Sequence, residues 1–493
     1  MSDDQDSMMA SSYEDPSTVS ADRRSLWERL GHPRFVLAPM VDASELAWRL
    51  LSRAHGAQLC YSPMFHSTIF AKDSKYRRDA LASSPADRPL IIQFCGNKPD
   101  VILDAAKLAE PFCDAIDINL GCPQAIAKRG NYGSFLQDDW DVLTSIVRTL
   151  SQNLKLPVTC KIRVFESIER TVEYAQMLER AGCSLLTVHG RTREQKGPLT
   201  GIASWEHIKA VKENVKIPVF ANGNIQCLED ALRCIEQTGV NGVMSAEGNL
   251  YNPFIFEGTH PPAWEPALEY LDIVQRHPCP TSYVRGHLFK IFHSLLALKV
   301  NADVREEIAK GAHLEDFRKS VIVLRERYLP YHDGVIPWNH EPDYNLSLPP
   351  WLCQSYFRMS PEDHIKKMEM LKKAAEAMEK ENVDESANLI GKRSPDSVDV
   401  TLSKKKLKKL KRCTERMSRL NPHSRRKVAI CSKCPNPMGL KCDSAMCKTC
   451  CRHKCYIEDA DCLGHGILIK TRRERARSRV APKEASPSDM ATL

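Results

Sequence analysis

A cysteine set between glycine and proline, Gly121-Cys122-Pro123, follows a short apolar run that ends in Ile118-Asn119-Leu120. A thiol has a reference pKa of about 8.5 and is a competent acid near neutrality. The following proline removes a backbone donor and stiffens the loop. Other short β-branched runs also end in polar, basic or otherwise special residues: Pro39-Met40, Gln93, Lys161 and Arg163, His189 and Arg191, and Asn222-Gly223-Asn224. A single strand-end Gln or His is more often a satisfied structural group than a ligand contact. Six such ends around one mouth are hard to explain by packing. A second concentration of chemistry lies near the C-terminus, as Cys431-x2-Cys434, Cys442, Cys447-x2-Cys450, Cys451, His453, Cys455, Cys462 and His465. Paired CxxC spacings with two histidines in so short a stretch point to structural Zn2+. Ten candidates exceed the four ligands of one site, so either two ions bind or some thiols are spare.

The elements that must position the first group are legible as a repeat. Short runs at 35–41, 58–64, 90–95, 115–120, 158–164, 185–189, 219–221 and 242–245 alternate with amphipathic stretches at 45–54, 99–109, 140–151, 167–181, 204–214 and 228–236. Eight strand–helix units in this length predict a closed (β/α)8 TIM barrel of the α/β class, with its active site at the C-terminal strand ends. An open doubly wound sheet usually shows a Gly-rich fingerprint after its first strand, where this chain has Ala38-Pro39-Met40-Val41. The predicted layout is a disordered N-terminus at 1–22, the barrel at 23–260 and a mostly helical domain at 261–380. A linker at 381–403, a basic Cys/His-rich module at 404–479 and a disordered tail at 480–493 follow. The helical domain is read from apolar residues at helical spacing in 284–300 and 368–378.

Composition narrows the function classes. The 493 residues include 19 cysteines and carry a formal charge of +8. Residues 404–479 hold 23 Lys+Arg against 6 Asp+Glu, leaving 47 basic and 56 acidic residues elsewhere. The phosphate-binding surplus is therefore C-terminal. No apolar run is long enough for a membrane span, and the acidic start is unlike a signal peptide. The expectation is a cytoplasmic protein. The basic runs at 404–412 and 472–479 serve as RNA-binding flanks or as nuclear localisation signals, or both.

The strand-end motifs carry a family resemblance. Ile118-Asn119-Leu120-Gly121-Cys122-Pro123-Gln124 is similar to the active-site signature of the tRNA-dihydrouridine synthases. Pro39-Met40, Gln93, Lys161-Ile162-Arg163, Val188-His189-Gly190-Arg191-Thr192 and Asn222-Gly223-Asn224 fall in that family's order, over residues 35–256. The resemblance implies FMN as cofactor, NADPH or NADH as reductant, and tRNA as partner, with no obligate protein partner. It implies hydride delivery to C6 of a flipped uracil and a proton from Cys122 to C5. Lys161 would lie near the N1/O2 edge of the flavin, and Gln93 and Asn119 would serve the flavin or uracil edge. His189 would contact the flavin or its phosphate side, and the backbone of Pro39-Met40-Val41 would pack on the ring. Asn222, Gly223 and Asn224, with backbone around Ala246 and Glu247, would take the phosphate. The Leu-Gly-Cys-Pro-Gln form matches the eukaryotic branch and suggests D-loop positions 16 and 17.

One departure stands out. Where the family usually has Gly-Arg after the eighth strand, this chain has Ser245-Ala246-Glu247-Gly248. A glutamate repels a phosphate dianion unless it points away or is neutralised, so weak FMN retention is one expectation. Two other readings follow: a non-catalytic tRNA-binding scaffold, and a flavin barrel acting on a free pyrimidine, for which the helical domain and basic tail have no use. Arg191, Arg193 and Lys196 read either as RNA-phosphate contacts or as solvated charges. Arg285, His287 and Lys290 read as a basic helix turn facing the tRNA backbone.

Overall fold

In the computed structural model, the described residues are 25–339, 346, 348–356, 360–366, 369–370, 429–434, 438–439, 441–471 and 473–474. The chain forms two compact units, 1–378 and 379–493. The predicted linker, the basic run at 404–412 and both terminal segments lie outside the described residues, as does nearly all of 368–378 and 472–479. Among the described residues no helix is long and apolar enough to cross a membrane.

The first unit contains the predicted barrel. Its strands are β1 (Phe35–Leu37), β2 (Leu59–His66), β3 (Leu90–Cys95), β4 (Ala115–Leu120), β5 (Val158–Arg163), β6 (Leu185–His189), β7 (Val219–Asn222) and β8 (Gly242–Ser245). Each pairs in parallel with the next, and β8 closes on β1 with Val36 opposite Met244. Period-two alternation sorts the side chains. In β4, Ile116, Ile118 and Leu120 pack outward under the helices, while Ala115 joins an interior layer with Val36, Tyr61, Ile91, Leu185, Phe220 and Met244. That layer also takes Leu26 and Leu30 from the short helix Leu26–Arg29, whose Ser25–Glu28 capping box fixes its start. β1 is shorter than predicted. Ala38 still donates to the Ser245 carbonyl, but Pro39 has no N–H to continue the ladder, and the chain turns through Asp42 at φ 59°.

After the barrel, helices Trp264–Arg276, Thr281–Ile291, His293–Ala297, Ala302–Lys310 and Leu314–His332 form the helical region. The single segment expected over 284–300 is broken at Phe292, which caps one helix and opens the next. This region packs on the helix Leu46–Ala54 through Trp48. The Trp48 ring lies 3.9 Å from the His287 ring, nearly parallel to it, and 5.4 Å from Tyr270. Glu45 accepts from the Tyr270 hydroxyl at 2.6 Å and meets His287 Nε2 at 3.1 Å. The basic-turn expectation is corrected here. His287 is fully buried, Arg285 donates to the Ile308 and Gly311 carbonyls, and Lys290 donates to Gly286. The turn braces helices against the barrel, because position 287 shares its helix face with Val284, Leu288 and Ile291.

Candidate active site at the barrel mouth

A buried chain of hydrogen bonds runs from β5 to the Cys122 loop. Asp117 and Gln93 face the barrel interior and are fully buried. Asp117 accepts from Thr159 Oγ1 at 2.6 Å and from Gln93 Nε2 at 2.8 Å. Gln93 Oε1 accepts from Asn119 Nδ2 at 2.8 Å. Asn119 Oδ1 in turn accepts from the backbone N–H of Gly121 (3.2 Å) and Cys122 (2.9 Å). A carboxylate can only accept, so Asp117 fixes which way both amides point. Burial pushes its pKa up to about 6, against the hydrogen bonds from Thr159 and Gln93 and the charge of Lys161.

The carbonyls of the loop are held as well. Arg163 Nε donates to Gly121 O at 2.9 Å, Ser134 Oγ to Cys122 O at 3.0 Å, and Lys196 Nζ to Pro123 O at 3.0 Å. Gly133, at φ 65°, lies so close that a Cβ there would sit 2.8 Å from Cys122 O. The half-buried Cys122 side chain thus stands on a backbone fixed from both sides, packed near Met64, Cys95 and Tyr132. Asp117, Thr159 and Ser134 were missed in the sequence. Alternation along β4 carried one signal, since residues 117 and 119 share a face.

The cationic side is built on β5 to β7. Lys161 stands opposite Asn119 in register, and its Nζ donates to Asn222 Oδ1 at 2.7 Å. Asn222 is oriented by its own bond to Met244 O. Burial, and then Arg163, lower the Lys161 pKa to about 7, while Asp117 and Cys122 oppose the shift. His189 Nε2 lies 3.1 Å from Arg191 Nη1. A guanidinium only donates, so this nitrogen is an acceptor and the ring is neutral with its proton on Nδ1. Burial and the cations Lys161, Arg163 and Arg191 push the His189 pKa well down, in agreement.

The basic residues after β6 are engaged within the protein, and Lys196 is also exposed. Arg191 also binds the carbonyls of Thr200 and Gly201 and the Asn224 side chain. Arg193 pairs with Asp138 at 2.7 Å and reaches Ser134 O. These side chains tie the mouth loops together. Gly223 (φ 109°) and Asn224 (φ 61°) follow β7 in left-handed conformations. A Cβ on Gly223 would come 2.7 Å from Ala203 Cβ and 3.0 Å from His189 Cδ2, so the approach of these loops requires glycine. Arg191, Gly201, Ala203, Asn224, Gln226 and Glu247 share a cavity of about 480 Å³ with Asp230 and Arg233. Ala246 precedes Glu247, which opens the helix Glu247–Tyr251. Pro39 and Met40 follow β1; Met40 is half-buried, whereas Val41 is exposed and lines another cavity, of about 970 Å³, with Met64, Arg276 and Tyr283.

In the C-terminal unit, Cys431, Cys434, Cys447 and Cys450 converge, as do Cys442, Cys451, Cys462 and His465. His453 is exposed and stands in neither group. Cys455 is buried 3.9 Å from the Cys451 sulfur and also stands outside both.

Residues 36–326 match the family described as dihydrouridine synthase (Dus). A mouse protein named tRNA-dihydrouridine(16/17) synthase [NAD(P)(+)]-like is 52% identical over 459 residues, covering 91% of each chain. Proteins named tRNA-dihydrouridine(16/17) synthase [NAD(P)(+)] from Schizosaccharomyces pombe and Saccharomyces cerevisiae are 45% and 43% identical. Their matches cover 68% of this chain and 90% and 86% of theirs. With its barrel, its strand-end residues and this similarity along most of its length, the chain belongs to the dihydrouridine synthase family.

Proposed function

We propose that this chain reduces uridine to 5,6-dihydrouridine in the D-loop of tRNA, at positions 16 and 17, with FMN held at the barrel mouth and NADPH or NADH as reductant. The observation that carries the reading is the pairing of a rigidly held Cys122 loop with a half-buried Lys161 across adjacent strands. The donor set fits the cofactor. Lys161 is a desolvated cation beside a neutral amide, so an anionic ring edge placed against it relieves the penalty of burial. The backbone at Gly223-Asn224 and Ala246-Glu247, with Arg191, would hold the phosphate. FMN bound there supplies the hydride for C6 of the uracil.

The chain's own residues do the rest. Cys122 gives its proton to C5, and the bonds on Gly121, Cys122 and Pro123 keep that thiol from drifting as the base enters. Gln93 has both amide ends committed to Asp117 and Asn119 and acts by orienting. Asn119, half-buried, has its Oδ1 filled by the Gly121 and Cys122 N–H groups and keeps a second Nδ2 proton for the uracil or flavin edge. Neutral His189 offers its Nδ1 proton to the cofactor side. Lys161 supports negative charge on the reduced ring.

The test is Cys122→Ala in the full-length chain, expressed in cells lacking the protein. Flavin content of the purified variant should match wild type, while dihydrouridine at positions 16 and 17 falls to background. Full modification by the variant refutes Cys122 as proton donor, and unchanged tRNA in the deletion refutes the activity. Glu247 in the cavity that holds Arg191 favours a second reading, a tRNA-binding protein that retains FMN poorly. Purified protein without flavin absorbance that still binds tRNA would select it.

A further inference from the structure

We infer that the C-terminal unit is a two-zinc module of interleaved topology, with Cys431, Cys434, Cys447 and Cys450 on one ion and Cys442, Cys451, Cys462 and His465 on the other. Within each quartet all four ligand atoms lie within 4.8 Å of one another. Tetrahedral Zn2+ with Zn–S of about 2.3 Å and Zn–N of about 2.0 Å requires S···S edges of about 3.8 Å and S···N edges of about 3.5 Å. The sulfurs of Cys434 and Cys447 are 3.6 Å apart, those of Cys434 and Cys450 3.5 Å, and Cys462 Sγ is 3.6 Å from His465 Nδ1. These separations are edge lengths of a ligand tetrahedron and are far too long for a disulfide.

The surroundings fit metal-bound thiolates. The backbone N–H groups of Lys433, Cys434 and Cys447 bond the Cys431 sulfur, and those of Ser444 and Met446 bond the Cys442 sulfur. Amide-to-sulfur bonds of this kind orient a ligand and spread its charge. Among the described residues of the unit, regular structure is sparse. They hold the helix Lys448–Ile457, helical turns at 463–465, 469–471 and 473–474, and a two-residue ladder between Asp461–Cys462 and Ile467–Leu468. Its buried cluster consists largely of the cysteines themselves. Metal bound to those cysteines would add folding free energy to so small a cluster.

The order of the ligands makes the module interleaved. Cys442 belongs to the second ion yet lies between the two CxxC pairs of the first, and the neighbours Cys450 and Cys451 serve different ions. Each site therefore closes a loop through the other, and neither half can fold as a separate finger. Thiolate-rich sites with one imidazole suit Zn2+. Each cysteine releases its proton on binding, and no electron is transferred.

The test is metal analysis of the full-length protein, with absorption spectra after Co2+ replaces the zinc. Wild type should hold two zinc ions per chain. X-ray absorption should report seven sulfurs and one nitrogen shared between the ions. Cys455→Ser and His453→Ala should keep both ions, whereas Cys451→Ser or Cys434→Ser should lose at least one. His465→Cys should retain two ions and shift the Co2+ spectrum toward an all-sulfur site. One ion or none in wild type, stoichiometric iron, or loss of zinc in the Cys455→Ser protein overturns the assignment. The absorption result on wild type stands even where a variant fails to fold.

Discussion

Lys161→Met separates what the half-buried lysine costs the fold from what it does for the cofactor. Burial and Arg163 hold the ammonium at about 7 in the folded chain, against about 10.4 in an unfolded one. That gap corresponds to roughly 4–5 kcal/mol against the charged form. The side chain is only half-buried, so solvent screening reduces the realised penalty to about 2–3 kcal/mol. The sign follows from proton counting. Below pH 7 both states hold the proton and the penalty is complete. Between pH 7 and about 10.4 the unfolded chain alone keeps it, so stability rises with pH. Methionine fills the volume without charge, and replacing a buried ionic group in this way is often neutral or stabilising. Urea unfolding of flavin-free protein, followed from pH 6 to 9.5, should find Lys161→Met more stable than wild type at pH 7. The difference should shrink as pH rises. The same variant should bind FMN more weakly and reduce it roughly 100-fold more slowly, the usual cost of removing one charge-stabilising donor. A variant less stable than wild type at pH 7, or a difference that does not change with pH, would refute the reasoning.

Other perturbations read other parts of the mouth. Asp117→Asn puts an N–H where Gln93 or Thr159 donates, turning the Gln93 and Asn119 amides; turnover on tRNA should fall roughly 10- to 100-fold with flavin retained, a loss within the range of misplaced catalytic groups. Because the Asp117 pKa is raised to about 6, wild-type turnover should decline below that pH and the limb should vanish in Asp117→Asn. Its linkage runs opposite to that of an ion-paired carboxylate: the stability it contributes is complete below about pH 3.9 and is lost as pH rises through 6. Glu247→Gln should tighten FMN roughly five-fold, the equivalent of about 1 kcal/mol for a carboxylate some 7 Å from a phosphate in a water-like cavity; equilibrium dialysis that finds no change would place its carboxylate away from the phosphate.

The barrel was legible because parallel strands buried on both faces leave short β-branched runs, and helices leave a distinct period between them. β3, β4, β6 and β8 fall at their expected limits. The roster of mouth residues was legible for the same reason, since strand ends converge once the barrel closes. Their partners were not. Gln93 and Asp117 are 24 residues apart, and only closure of the sheet shows that one amide is consumed in orienting another. Sequence marks Gln93 as a contact, whereas the fold buries it beneath the mouth.

His287 shows the complementary failure. A histidine between Arg285 and Lys290 reads as part of a charged patch, because basic residues are mostly exposed. The helical phase of Val284, Leu288 and Ile291 already put position 287 on the apolar face, where it stacks on Trp48. Phase therefore outranks composition when the two disagree on one residue. The same principle partitions the C-terminal cysteines. Adjacent residues on a helix point about 100° apart, so Cys450 and Cys451, at the start of Lys448–Ile457, must face different neighbours. Spacing offered ten candidates as one set, of which His453 and Cys455 stand outside both quartets; direction divides the other eight, and direction exists only once the helix has formed.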